Sequence, residues 1–148
     1  MTGVTLYTES GSTCFGTAIA TSRVDMKTET RGRVFLLDDD ELIVSMLARA
    51  LAGEGYEVRF ETDPRGVAEK IRSFSADVVL LDINLPGANG IDLLREFLAQ
   101  DVARLVVMLS SDSDPKTVVT AFKLGAADYL VKPFELDEVK KAVREAIE

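Results

Sequence analysis

The sequence contains no histidine, which excludes His-based general-base chemistry, histidine metal ligation and a phosphohistidine within this chain. Its single cysteine, Cys14, cannot close an intramolecular disulfide, and without histidine or a second cysteine it cannot build a zinc site. Any metal must then be held by oxygen. Such sparing use of cysteine fits a reducing, cytoplasmic compartment. No apolar run approaches the ~20 residues that a membrane span requires. The stretch before Arg23 has no Lys or Arg, unlike the basic opening of a signal peptide. Positive charge is also scarce: 17 Lys and Arg against 25 Asp and Glu give a net charge of −8. That balance repels a phosphate backbone, so direct binding to nucleic acid is not expected.

What remains is a chain of 148 residues, 47% hydrophobic and 28% charged, enough for one packed domain and little more. The composition changes near residue 32. Residues 1–32 are rich in Ser and Thr, lack helical periodicity and read as a flexible arm, disordered or non-native. Their charges cancel, so the acidity belongs to residues 33–148. There, short apolar runs alternate with helix-period segments. Strands are expected at Val34–Leu37, Tyr56–Phe60, Val78–Leu81, Leu105–Leu109 and Tyr129–Val131. Three of these are continuous apolar runs, the pattern of strands covered on both faces.

Ile43, Met46, Leu47, Ala50 and Leu51 make an amphipathic stripe, and Ile91–Ala99 and Leu136–Ile147 supply two further helices. Asp63-Pro64 and Asp114-Pro115 each read as an N-cap followed by proline at the first helical position. Five βα units with right-handed crossovers predict one parallel sheet between two helix layers.

In such a sheet, ligands bind beyond the carboxyl ends of the strands, at the switch point of strand order. The residues just past those ends are Asp38, Asp39 and Asp40 after strand 1, Asp82 after strand 3, Ser110 and Ser111 after strand 4, and Lys132-Pro133 after strand 5. Each has a plainer reading: a helix N-cap for the first acidic run, a turn for Asp82, a solvated surface lysine for Lys132. Their conjunction points elsewhere, because like charges crowded at one sheet edge repel one another and call for a cation. An all-oxygen ligand set suits a hard ion such as Mg²⁺.

At these residues the chain resembles the receiver domains of two-component response regulators. The resemblance covers essentially all of Arg33–Glu148 and is carried by VFLLDDDE, VVLLDINLPGANG, VVMLSSDSD and GAADYLVKPF, in that order. It implies the α/β flavodoxin-like (βα)5 three-layer sandwich with strand order 2-1-3-4-5. It further implies that Asp82 is the phosphoacceptor, phosphorylated from a phosphohistidine of a sensor histidine kinase or phosphotransfer protein. Mg²⁺, with Mn²⁺ as an alternative, would be held by Asp39 and Asp82, by Asp38 through water and by the backbone carbonyl of Asn84. Lys132 would pair with the phosphoryl group, and the Lys132–Pro133 peptide would be cis. Ser110, where the family commonly has Thr, and Tyr129 would form the switch. Asn84 and Asp112 would tune hydrolysis of the acyl phosphate.

The resemblance implies a regulatory phosphoacceptor that assists its own phosphorylation and dephosphorylation, rather than an enzyme acting on other substrates. Its output would pass through the helix 4–strand 5–helix 5 face, by binding a downstream target protein, by a homodimer or by phosphorelay. Val118, Phe122, Lys123, Lys140, Lys141 and Arg144 are candidates on that face. The sequence reads equally as a stand-alone receiver or as part of a longer regulator. Two other readings compete. One is an Asp-x-Asp phosphotransferase using Asp38 and Asp40, which Leu42 and the lack of room for a substrate cap oppose. The other is a degenerate receiver acting only as an interaction module, which the complete acidic set, Ser110 and Lys132 oppose.

Overall fold

A computed structural model describes residues 30–102 and 105–148. The arm expected over 1–32 therefore lies outside the described residues, except for its last three. Two of these, Arg31 and Gly32, join the domain: the Arg31 N–H donates to the Gly55 carbonyl at 2.9 Å, the Gly32 carbonyl accepts from the Glu57 N–H at 2.9 Å, and the Arg31 guanidinium stacks over Tyr56.

Strands β1 (Arg33–Leu37), β2 (Glu57–Glu61), β3 (Val78–Asp82), β4 (Leu105–Ser110) and β5 (Asp128–Val131) form one parallel sheet in the order 2-1-3-4-5. Each lies within a residue or so of its expected place. Alternation along the interior strands sends neighbours to opposite faces. Val34 and Leu36 join Val78, Leu80, Val107 and Leu109 under helices α1 (Glu41–Gly53) and α5 (Leu136–Ile147). Phe35 and Leu37 join Val79, Leu81, Val106 and Met108 under α2 (Val67–Phe74), α3 (Gly90–Ala99) and α4 (Pro115–Leu124). Both faces of β3 are covered, and all five of its residues are buried. This is the expected three-layer flavodoxin-like sandwich.

Three local expectations are corrected. In α1 the buried face is Val44, Leu47 and Leu51, whereas Met46 is 44% exposed. The stripe is rotated because Val44, one position beyond Ile43, is the residue that meets the sheet. The second correction concerns Asp63-Pro64, which does not start a helix. The Pro64 carbonyl accepts from the Val67 N–H to make a turn, and Gly66 sits at φ 68°, outside helical space, so α2 begins at Val67. Asp63 instead pairs with Arg65, which holds its carboxyl down at about 2. On α4, Val118 packs toward the core, and Val119 and Phe122 are the exposed apolar residues.

Asp114-Pro115 behaves as read: the Asp114 carboxylate accepts from the Lys116 N–H, with proline at the start of α4. No helix among the described residues is long and apolar enough to cross a membrane.

Candidate functional site

Register brings the polar strand ends to one level. Leu37 pairs with Leu81, Asp82 with Leu109 and Ser110 with Val131, so Asp38, Asp82, Ser110 and Lys132 emerge side by side from four adjacent strands. Chain order 2-1-3 makes the β1/β3 boundary the switch point, where neighbouring crossovers diverge to opposite faces.

Asp38 and Asp82 are only 1% and 3% exposed, and Ser110 is fully buried. Asp39, exposed on the turn before α1, offers an oxygen to the same spot. One carboxylate oxygen each from Asp38, Asp39 and Asp82 lies within 4.8 Å of the others. Asp40, third in the acidic run, turns away and caps α1, its carboxylate accepting from the N–H groups of Leu42 and Ile43. The plain N-cap reading thus holds for Asp40, and the cluster takes the two aspartates before it.

Backbone donors orient the carboxylates. The Asp40 N–H donates to Asp38 Oδ1 at 3.0 Å, and the Asn84 N–H donates to Asp82 Oδ1 at 3.2 Å. Lys132 is no solvated surface lysine. Its side chain is 20% exposed, and Nζ lies 2.8 Å from Asp38 Oδ2 and 3.4 Å from Asp82 Oδ2. The Lys132 N–H bonds the Ser110 carbonyl, and the Lys132–Pro133 peptide is cis.

The electrostatics follow from this crowding. Burial, then the Asp38 charge, pushes the Asp82 carboxyl up to about 6, against the opposing pull of Lys132 and the Asn84 N–H. Burial alone would depress the Lys132 ammonium, but its hydrogen bond to Asp38 and the two carboxylate charges outweigh that and raise it. One ammonium is thus shared by two buried carboxylates while a third stands beside them. An oxygen-only set with this surplus of negative charge fits a hard divalent cation.

Just beyond, a two-residue antiparallel ladder pairs Asn84–Leu85 with Ala88–Asn89. It returns the chain to α3, whose N-terminus lies close against the end of β3. A Cβ on Gly90 would sit 2.5 Å from the Asp82 carbonyl oxygen and 2.4 Å from the Ile83 Cα, so only glycine permits this approach.

Around Ser110, the hydroxyl accepts from the Asp112 N–H at 3.0 Å. Tyr129 is buried and points inward, its hydroxyl donating to the Asp112 carbonyl at 2.6 Å. Burial raises the phenol's pKa, with the Ser110 hydroxyl opposing and the Asp112 and Asp114 charges adding. The Asp112 carboxylate is engaged by the Asp114 N–H and the Thr117 hydroxyl. The sequence reading did not include Thr117. An acceptor and a hydroxyl five residues apart across a helix start would have been the signal.

Comparison with known proteins agrees with this geometry. Residues 34–144 match the family model described as response regulator receiver domain. The DNA-binding transcriptional regulator NtrC of Escherichia coli is 38% identical over 117 residues, which is 79% of this chain and 25% of NtrC. The DNA-binding response regulator MtrA of Mycobacterium tuberculosis is 39% identical over 114 residues, 77% of this chain and 50% of MtrA. The chain therefore spans between a quarter and half of these relatives. Among solved structures, the BeF3-activated N-terminal receiver domain of Klebsiella pneumoniae RstA superposes with a TM-score of 0.73 at 26% identity, covering 78% of this chain and 98% of that one. Sequence, sheet topology and the clustered strand-end carboxylates agree: the chain belongs to the response regulator receiver domain family.

Proposed function

We propose that this receiver is a phosphoacceptor switch in which Asp82 accepts a phosphoryl group from a phosphohistidine of a sensor kinase or phosphotransfer protein, in the cytoplasm. The observation that carries this reading is the convergence of Asp38, Asp39 and Asp82 with the Lys132 ammonium at the carboxyl end of the central strand. An Asp82 oxygen attacks phosphorus, the P–N bond breaks, and its electron pair leaves with the donor's imidazole. The backbone N–H of Asn84 holds the other Asp82 oxygen, fixing the plane of the nucleophile. Lys132, already between two carboxylates, is placed to take a phosphoryl oxygen as a third anionic partner. Burial of Asp38 and Asp82 keeps bulk water from the acyl phosphate.

Asp38, Asp39 and Asp82, with the Asn84 carbonyl, would hold Mg²⁺ or Mn²⁺. When bound, such an ion supplies charge neutralisation to the transferring group.

The product adds about −1.5 to −2 charges and strong acceptor oxygens. Ser110 has its oxygen engaged by the Asp112 N–H and its own hydrogen to donate, so it is the natural partner for one of them. That contact draws on the loop that also carries the acceptor for Tyr129, and so links Asp82 to the α4–β5–α5 face. Val119, Phe122, Val131 and Leu136 expose apolar surface along these elements, suited to a target protein or a second copy. Asn84 and Asp112 flank the pocket and would set the lifetime of the acyl phosphate.

Incubation with acetyl phosphate tests the reading. Intact-mass spectrometry should show one added phosphoryl group with Mg²⁺ and none with chelator. Labelling that is indifferent to the cation would refute it.

A further inference from the structure

We propose that Thr117 is a positioning residue: through Asp112 it latches the β4–α4 loop in the form that places Ser110 and inward Tyr129 together. Asp112 is the hub of that loop. Its N–H goes to Ser110 Oγ at 3.0 Å and its carbonyl receives the Tyr129 hydroxyl at 2.6 Å. Its carboxylate receives the Asp114 N–H at 2.9 Å and the Thr117 hydroxyl at 3.1 Å. Three of these bonds stay within the loop or reach back to the strands. The fourth alone ties the hub to the body of a helix.

That helix is a firm anchor, because Asp114 caps it and Pro115 fixes its first backbone angle. Thr117 lies in its first turn. Inside a helix a threonine hydroxyl commonly bonds back to the carbonyl four residues earlier, as Thr120 does to Lys116 at 2.8 Å. Thr117 reaches out instead to a carboxylate in the preceding loop. Both partners are half-buried, so the bond is shielded from competing water.

Loss of the Thr117 bond would leave one Asp112 oxygen unpartnered and free the hub to swing. The Tyr129 acceptor and the Ser110 donor would move with it. The latch thus biases the chain toward the arrangement in which Ser110 can meet a phosphoryl oxygen. Its consequence for labelling rests on the phosphoacceptor reading; its consequence for Tyr129 does not.

The test uses the full chain carrying 3-fluorotyrosine, with Tyr129→Phe identifying the Tyr129 fluorine signal, alongside the rate of labelling by acetyl phosphate and Mg²⁺. Thr117→Val, which keeps the shape and removes the hydroxyl, should move the Tyr129 signal toward that of an exposed tyrosine. It should also slow labelling about two- to fivefold, the scale of one hydrogen bond. Thr117→Ser should restore both. Asp112→Ala, which removes the accepting carboxylate altogether, should reproduce the valine variant. A Tyr129 signal unmoved in Thr117→Val and Asp112→Ala would overturn the latch, as would a Thr117→Ser that behaves like valine. Failure of the wild type to label at all would sink the phosphoacceptor reading, while the fluorine signal still judges the latch.

Discussion

Lys132→Met lowers the stability of the metal-free protein by about 3 kcal/mol at pH 7, measured by urea unfolding in chelator. Removing one partner from a buried charged cluster leaves the others uncompensated, which is costlier than never having had the pair. Here the two carboxylates that lose their ammonium are almost wholly buried and lie at the ends of adjacent strands. Methionine retains most of the aliphatic stem, so packing changes little. The loss should shrink toward pH 5, where Asp82, already raised to about 6, takes up a proton and sheds the uncompensated charge. A Lys132→Met protein as stable as wild type at pH 7 would mean that the ammonium does not hold these carboxylates.

Asp82→Asn acts in the opposite direction. An unfolded aspartate releases its proton near 3.8, whereas the folded Asp82 keeps it up to about 6. Between these values the folded state binds more protons, so the metal-free wild type loses stability as pH rises through the window. The asparagine variant lacks that descent. Both proteins should be similar below pH 4, and the variant should be more stable by about 2 to 3 kcal/mol above pH 6, from roughly two pKa units. Asparagine retains an acceptor for the Asn84 N–H and removes the charge that faces Asp38 and Lys132. Saturating Mg²⁺ should narrow the gap, since an ion held by all three carboxylates stabilises the wild-type fold more than the variant, which has lost one of them. A difference curve flat from pH 4 to pH 7 would show that the pocket imposes no electrostatic cost on Asp82.

Much of this was legible before any coordinates. Runs such as Val78–Leu81 are apolar on both faces, as strands inside a parallel sheet are, and the topology then brought Asp38, Asp82, Ser110 and Lys132 to one edge. Helix faces were less legible. In α1, Ile43, Val44, Met46 and Leu47 are all apolar, so periodicity left the rotation to the packing, which chose Val44 and exposed Met46. Asp63-Pro64 and Asp114-Pro115 carry the same local signal. The difference lies in Arg65 and Gly66, which favour a turn and a left-handed residue over a first helical turn.

The acidic run 38–40 could not be divided by sequence alone, because capping and metal ligation both call for aspartate. Only the direction of each carboxylate separates Asp40 from its neighbours. Thr117 left only the weak signal of its spacing from Asp112, because a hydroxyl bonded to a loop carboxylate and one bonded back along its own helix look alike in a string of letters.

The most direct measurement locates the phosphoryl group, which the pocket is proposed to place on the Asp82 carboxylate. Borohydride reduction after acetyl phosphate treatment converts an aspartyl phosphate to homoserine, and peptide sequencing by mass spectrometry then locates it. The account predicts homoserine at position 82, formed with Mg²⁺ and absent with chelator. Homoserine at Asp38, Asp39 or any other carboxylate of the wild-type chain, with Asp82 intact, would contradict it.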